Sequence, residues 1–557
     1  MALNSSLLLL LALPSAYSAS TPRTGAANSH GPTVLLDNGT FVGVPEGSVS
    51  AFRGIPYAKP PVGDLRFRLP VANDPYNGTY NVTTFGASCI QQLANDTDPS
   101  GQNSTAIELL HNAINGYTVP VIDDEDCLIV NVHTPANATA NSRLPVVYWI
   151  YGGGFQAGSI TANNGSVIVE RSLQLEEPVV YVSVNYRLSV LGFPGSSEVR
   201  EAGIGNLGLH DQRLGLRWVQ KYISAFGGDP SKVTIWGQSA GAISVAMQMF
   251  TNGGNNEGLF RGAFLQSGGP FDTGALEDGQ ASFNKFATDA GCVDSLGSAA
   301  VFDCLRNASI ADIRAAIQAS QNIFDYASLA LPWKPRVDGV FLTDTPQQLV
   351  LNGSVADVPF VIGDCDDEGT LFSLSNTNIT TGSELRQYLQ DLYFPTANDS
   401  LIDNILSAYP DDPALGSPFD TPPNNSFTPE YKRISAISGD HLFQAPRRLL
   451  LSERSGLNSS AFSYLYKRGK STPYLGASHG NDVFDIYSPG DTTDALVNFA
   501  MNLDPNGKTL VDWPEYTVEA PVLLTLSDGN VTQAITNDTY RAEGMRALIE
   551  ASLAGPY

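Results

Sequence analysis

Val233-Thr234-Ile235-Trp236 runs straight into Gly237-Gln238-Ser239-Ala240-Gly241 and on into Ala242–Met249. A β-branched and aromatic run, closed by a serine between two glycines and continued by small and apolar residues, leaves the chain few options. It predicts a buried strand, a turn tight enough to strain the serine backbone, and a helix. Side chains at 237 and 241 would crowd such a turn, which explains the glycines. The five-residue string alone recurs by chance. Its strand–turn–helix setting is what marks Ser239 as a candidate nucleophile, because that turn lifts the hydroxyl out of a sheet. A serine buried at a helix start is the competing reading.

Leu144–Ile150 (LPVVYWI), Pro178–Asn185 (PVVYVSVN) and Val358–Gly363 (VPFVIG) are similar runs and read as strands buried on both faces. His210–Ile223 spaces Leu214, Leu216, Trp218, Val219 and Ile223 as on one side of a helix. Strands alternating with helices predict the α/β class, with a large, mostly parallel central sheet covered on both faces. A chain of 557 residues with 42% hydrophobic and 16% charged residues has ample surface to bury, which excludes disordered and fibrous classes. Pro410–Pro423 is the best candidate linker, yet no composition shift or fixed repeat accompanies it, so one domain over 19–557 is expected. The net charge of −25 disfavours nucleic acid and anionic membranes as partners.

The first eighteen residues carry no charge, hold an apolar run from Leu7 to Leu13, break at Pro14 and end in small residues suited to cleavage before Ala19. This predicts a signal peptide over 1–18, even without a basic residue near Met1; a short buried helix is the alternative. No later run approaches the roughly 18 to 20 apolar residues that span a bilayer, so a secreted, extracellular protein without stable membrane insertion is expected. Fifteen Asn-x-Ser/Thr sites beyond the signal agree with a secreted glycoprotein. Five cysteines, Cys89, Cys127, Cys292, Cys304 and Cys365, lack the spacing of a zinc site. The odd count leaves at least one unpaired, and two bridges can be drawn in fifteen ways.

A hydroxyl nucleophile needs a base, and there are six histidines. His30 lies in the polar N-terminal segment, His111 in a short amphipathic segment, His133 beside a strand end, and His210 and His441 within apparent helices. His479 differs: Gly476-Ala477-Ser478-His479-Gly480-Asn481-Asp482 is a small-residue loop able to present a ring to a pocket. An acid to orient that ring is available after the strand VPFVI, in Gly363-Asp364-Cys365-Asp366-Asp367-Glu368-Gly369. Any of its four carboxylates could serve, and a solvated acidic turn or weak calcium loop is the other reading. Tyr151-Gly152-Gly153-Gly154-Phe155, directly after the VVYWI strand, can aim backbone amides at an anionic oxygen. A flexible turn competes with that reading; a phosphate cradle competes less, since no Lys-Ser/Thr pair follows as a P-loop requires.

Further strings extend this pattern: Phe52-Arg53-Gly54-Ile55-Pro56-Tyr57-Ala58, Pro60-Pro61-Val62-Gly63, Glu125-Asp126-Cys127-Leu128, Asn185-Tyr186-Arg187, Leu191-Gly192-Phe193, Gly205-Asn206-Leu207-Gly208-Leu209 with Asp211-Gln212, and Phe226-Gly227-Gly228-Asp229-Pro230. Together they resemble the type-B carboxylesterase/lipase family of α/β-hydrolases, which includes fungal secreted esterases and lipases, cholinesterases and the inactive neuroligins. The resemblance runs from about Phe52 to the C-terminal region and fits the chain order serine, acid, histidine. It implies an α/β-hydrolase fold, Ser239 as nucleophile, Glu368 as acid and His479 as base, with an oxyanion hole from the amides of Gly153, Gly154 and Ala240. It also implies disulfides Cys89–Cys127 and Cys292–Cys304, with Cys365 a free thiol. Gln238 stands where relatives commonly have Glu, and Ile129 replaces an aromatic residue; both bear on substrate environment and packing.

The loop from Cys89 to Cys127 begins Cys89-Ile90-Gln91-Gln92, similar to the lid loop of fungal lipases. Ala106, Ile107, Leu109, Leu110, Ala113 and Ile114 form an apolar helical stripe within it, fit either for a mobile lid or for packing on the core. The loop lacks the Trp with which cholinesterases hold choline, which argues against choline esters. The reading as a whole predicts a serine hydrolase that cleaves carboxylic esters through an acyl-enzyme, without cofactor or metal, on small-molecule or lipid esters. A lipase or sterol esterase acting at lipid interfaces is the alternative; a neuroligin-like binding protein would require a broken triad. The oligomeric state is not legible.

Overall fold

Strands whose residues are apolar on both faces must be covered on both, and the buried runs pair into one large sheet, while three short, largely exposed strands form a small one. The structure is a computed structural model describing residues 31–93, 103–117, 122–455 and 458–557; the signal segment 1–18, His30 and the sequon at Asn95 lie outside the described residues. The strands are β1 (Thr33–Leu36), β2 (Asn38–Val42), β3 (Val44–Glu46), β4 (Val49–Pro56), β5 (Asn77–Asn81), β6 (Ile129–Pro135) and β7 (Leu144–Ile150). They continue with β8 (Val180–Val184), β9 (Gly228–Gln238), β10 (Gly262–Gln266), β11 (Phe360–Cys365), β12 (Ala461–Lys467), β13 (Val522–Ser527) and β14 (Gln533–Asn537).

The small sheet has the order β1-β2-β5 and the eleven-stranded sheet β14-β13-β12-β11-β10-β9-β7-β8-β6-β4-β3. From β8 to β13 all neighbours are parallel, whereas β6, β4, β3 and β14 are added antiparallel at the two ends. The α/β-hydrolase arrangement expected from the sequence is thus present, and its large sheet takes strands from residue 44 to residue 537.

Within that frame the expected elements shift. The strand expected at Val233–Gly237 is the end of the longer β9, and the helix expected at His210–Ile223 is Leu207–Tyr222, starting one turn earlier. His133 lies inside β6 rather than beside a strand end; β6 is buried throughout despite Asn131, His133 and Thr134, so its polar residues hid it in the sequence. Pro410–Pro423 is no free linker. Ser417 N–H donates to the Lys432 carbonyl at 2.9 Å, and the Arg541 guanidinium stacks 3.7 Å over the Phe419 ring.

Several of the family-like strings prove structural. Arg187 makes a bidentate, buried pair with Asp211 at 2.7 and 2.8 Å, tying the β8 end to the Leu207–Tyr222 helix. Arg66 does the same with Glu125 at 2.6 and 2.8 Å. At the sheet centre Trp149 on β7 faces Trp236 on β9, ring centroids 4.1 Å apart. Disulfides join Cys89 to Cys127 and Cys292 to Cys304, and Cys365 is free and buried.

Candidate active site

β7, β9, β11 and β12 run parallel, so their carboxyl ends lie along one edge, and every candidate site residue follows one of those ends. After β9 the chain turns at Ser239 with φ 56° and ψ −127°, then enters the helix Ala240–Phe250. The flanking glycines are steric necessities. A Cβ at 237 would lie 2.3 Å from the Gly241 carbonyl oxygen, and one at 241 would lie 2.0 Å from that of Ile150. Helix, turn and β7 therefore cross in contact, and the Ser239 N–H is held by the Gln266 carbonyl at 2.8 Å.

His479 Nε2 lies 2.8 Å from Ser239 Oγ. On the other side of the ring, Nδ1 is hydrogen-bonded to Glu368 Oε2, while Glu368 Oε1 accepts from the Cys365 N–H at 2.6 Å. The carboxylate fixes Nδ1 as the protonated nitrogen and leaves Nε2 to accept from the hydroxyl. All three residues are buried, with Ser239 and His479 retaining a small exposed face. The Gln238 amide nitrogen is 3.3 Å from His479 Nε2, so the departure from Glu noted in the sequence places a neutral group against the imidazole.

The other three carboxylates of the acidic turn face elsewhere. Asp364 accepts from Arg447 Nε at 2.9 Å, Asp366 from Lys470 Nζ at 2.6 Å, and Asp367 from Lys470 Nζ and the Ala477 N–H. Arginine, lysine and backbone donors hold them, which answers the calcium-loop reading. Of the other described histidines, His133 and His441 are core side chains whose basicity burial pushes down to about 3.

Gly153 and Gly154, at φ 107° and 62°, turn the loop after β7 back over the serine. A Cβ on Gly152 would come within 2.8 Å of Ser239 Cβ, so this loop lies directly against the hydroxyl-bearing residue. Among the described residues no carbonyl accepts from the Gly153 or Gly154 N–H. Ala240, first in its helix, has no intrahelical acceptor either. Three amides beside one hydroxyl can stabilise an oxygen that gains negative charge.

Some neighbours were not singled out in the sequence. The Phe443 and Phe372 rings stand 4.6 and 5.1 Å from the imidazole, and Phe324 stacks on Phe372 at 6.4 Å. Phe324 also touches the cluster in which Ala106, Leu110 and Ile114 of the helix Ser104–Tyr117 pack on Leu371, Leu374 and Tyr431. The apolar stripe is thus seated on the body of the protein. Asp482, three residues past His479, accepts from Tyr464 and Gln266 at 2.8 and 3.0 Å; burial, with Glu368 nearby, raises its carboxyl to about 6. No motif announces these phenylalanines, which reach the site from distant segments.

Fold and edge geometry together define a serine hydrolase of the α/β-hydrolase class. Residues 30–543 match the Carboxylesterase family. The chain belongs to that family and is a carboxylic ester hydrolase. It is 38% identical to Lipase 4 of Diutina rugosa over 93% of this chain and 95% of the relative. To the secreted triacylglycerol lipase LIP1 of Gibberella zeae it is 37% identical, over 92% and 89%. The crystal structure of Aspergillus niger EstA superposes with a TM-score of 0.80 at 26% identity, covering 94% of this chain and 99% of that one.

Proposed function

We propose that Ser239, His479 and Glu368 act as nucleophile, base and acid in hydrolysis of apolar carboxylic esters. The observation that carries this reading is the unbroken line of hydrogen bonds from Ser239 Oγ through both imidazole nitrogens to Glu368. His479 takes the hydroxyl proton as Oγ attacks the ester carbonyl, and Glu368 stabilises the imidazolium. The Gly153, Gly154 and Ala240 amides receive the oxyanion. His479 then protonates the departing alcohol, and water, activated by the same imidazole, releases the acid from Ser239.

The phenylalanines beside His479 and the apolar cluster beyond them favour an acyl chain of some length over a charged substrate. The Gibberella relative named as a triacylglycerol lipase supports a lipid ester as substrate. Export is the accompanying proposal. The signal-like segment supports it, as do two disulfides and the exposure of all fourteen sequon asparagines among the described residues.

Purified Ser239→Ala should lose at least about a thousandfold in kcat on a soluble ester with fold and stability retained; near wild-type hydrolysis would refute the assignment. A rate profile over acyl length, with and without an emulsion, separates the two substrate readings. A jump above the solubility limit supports the lipase, and smooth saturation on short soluble esters supports the general esterase.

A further inference from the structure

Asp367 is fully buried beside Glu368, yet its side chain leaves the turn in another direction and meets four donors from three segments. Its Oδ1 accepts from the Phe419 N–H at 2.7 Å and Ser417 Oγ at 3.1 Å. Its Oδ2 accepts from Lys470 Nζ at 2.6 Å and the Ala477 N–H at 2.8 Å. The Asp367 N–H in turn donates to the Ala477 carbonyl at 3.0 Å, and residue 367 bridges to Ser478 as in a parallel ladder. Both polar backbone groups of Ala477, two residues before His479, are thus bonded to Asp367.

We propose that Asp367 is a positioning residue for the base: it fastens the loop that carries His479, while Glu368 grips the ring itself. This rests on the triad reading above. Consecutive carboxylates divide the work, one holding backbone and the other holding imidazole. Gly476 is shaped for the same contact. At φ 60°, a Cβ there would stand 2.2 Å from Asp367 Oδ2, so any side chain would push the carboxylate off Ala477. Lys470 bonds Asp366 and Asp367 together and offsets the repulsion of neighbouring carboxylates. An amide cannot replace the acid. Oδ2 faces only the Lys470 ammonium and the Ala477 N–H, and Oδ1 faces the Phe419 N–H beside the Ser417 hydroxyl, so the NH₂ of an asparagine would confront at least one N–H donor in either orientation.

The test uses the full-length enzyme, Asp367→Asn and Gly476→Ala, on a soluble short-chain ester. Active fraction is measured by organophosphonate titration, alongside kcat, KM and the pH profile of kcat/KM. Asp482 and its partners are unchanged in both variants. The proposal expects kcat per titrated site to fall about 10²-fold, as for a displaced catalytic group, with KM nearly unchanged. It also expects the acid limb to move to lower pH, because an imidazole loosened from Glu368 holds its proton less firmly. Wild-type kcat and acid limb in the titrated fraction of either variant would overturn it, even with a lowered melting temperature. If Asp367→Asn does not fold, Gly476→Ala decides alone. Failure of the wild type to be labelled at Ser239 would instead refute the triad.

Discussion

Ser239 occupies a backbone region that a non-glycine residue enters at a cost of about 1–3 kcal/mol, and the contacts of Gly237 and Gly241 with the neighbouring backbone hold it there. The elbow was legible because its glycines are steric requirements and therefore part of the sequence. Which carboxylate meets the imidazole was not legible from the residues alone. Asp364, Asp366, Asp367 and Glu368 sit on one turn, and the direction each takes is set by Arg447, Lys470 and Ala477, which arrive from far along the chain. Gln238 offers a test at this scale. Gln238→Glu places a negative charge where the amide now lies 3.3 Å from His479 Nε2. It should stabilise the imidazolium and move the acid limb of kcat/KM to higher pH. An unmoved limb would mean that this side chain does not sense the base.

Elements were legible where burial on both faces leaves an uninterrupted apolar run, as in β7 and β11, and illegible where polar residues are buried, as in β6. The helix Ser104–Tyr117 shows a different limit. Its apolar stripe announces a partner, but only the fold identifies that partner as Leu371 and Leu374, just beyond Glu368, together with Tyr431. This helix lies between Cys89 and Cys127, whose separation of 38 residues exceeds the 12 of Cys292 and Cys304. Chain-entropy arguments give about 4 kcal/mol for the longer loop and about 3 for the shorter. Replacing each pair by serines should therefore lower the denaturation midpoint more for Cys89/Cys127, measured in urea without reductant. The reverse ranking would show that native contacts, not loop entropy, dominate.

At the scale of the whole molecule, the parallel centre of the large sheet brings residues 239, 368 and 479 to a single edge, a convergence that chain order predicted and spacing alone could not. The same burial that builds the sheet limits its range of pH. His133, buried with neither ring nitrogen bonded, titrates near 3 in the fold against an ordinary 6.5. Above 6.5 it is neutral folded or unfolded and contributes no pH dependence. Below 6.5 only the unfolded chain takes up the proton, so stability falls with pH until about 3. Relative to His133→Phe, the wild type should thus lose about 2–3 kcal/mol between pH 6.5 and 4.5, read from urea unfolding at both values; a constant difference would contradict this. The account as a whole stands on Ser239 as the group that becomes acylated. Treating the active enzyme with a fluorophosphonate and mapping the adduct by peptide mass spectrometry measures that directly. One adduct on Ser239, formed in step with loss of ester hydrolysis and absent from His479→Ala, is the predicted result. Hydrolysis that persists with Ser239 fully modified, or inactivation through another residue, would contradict it.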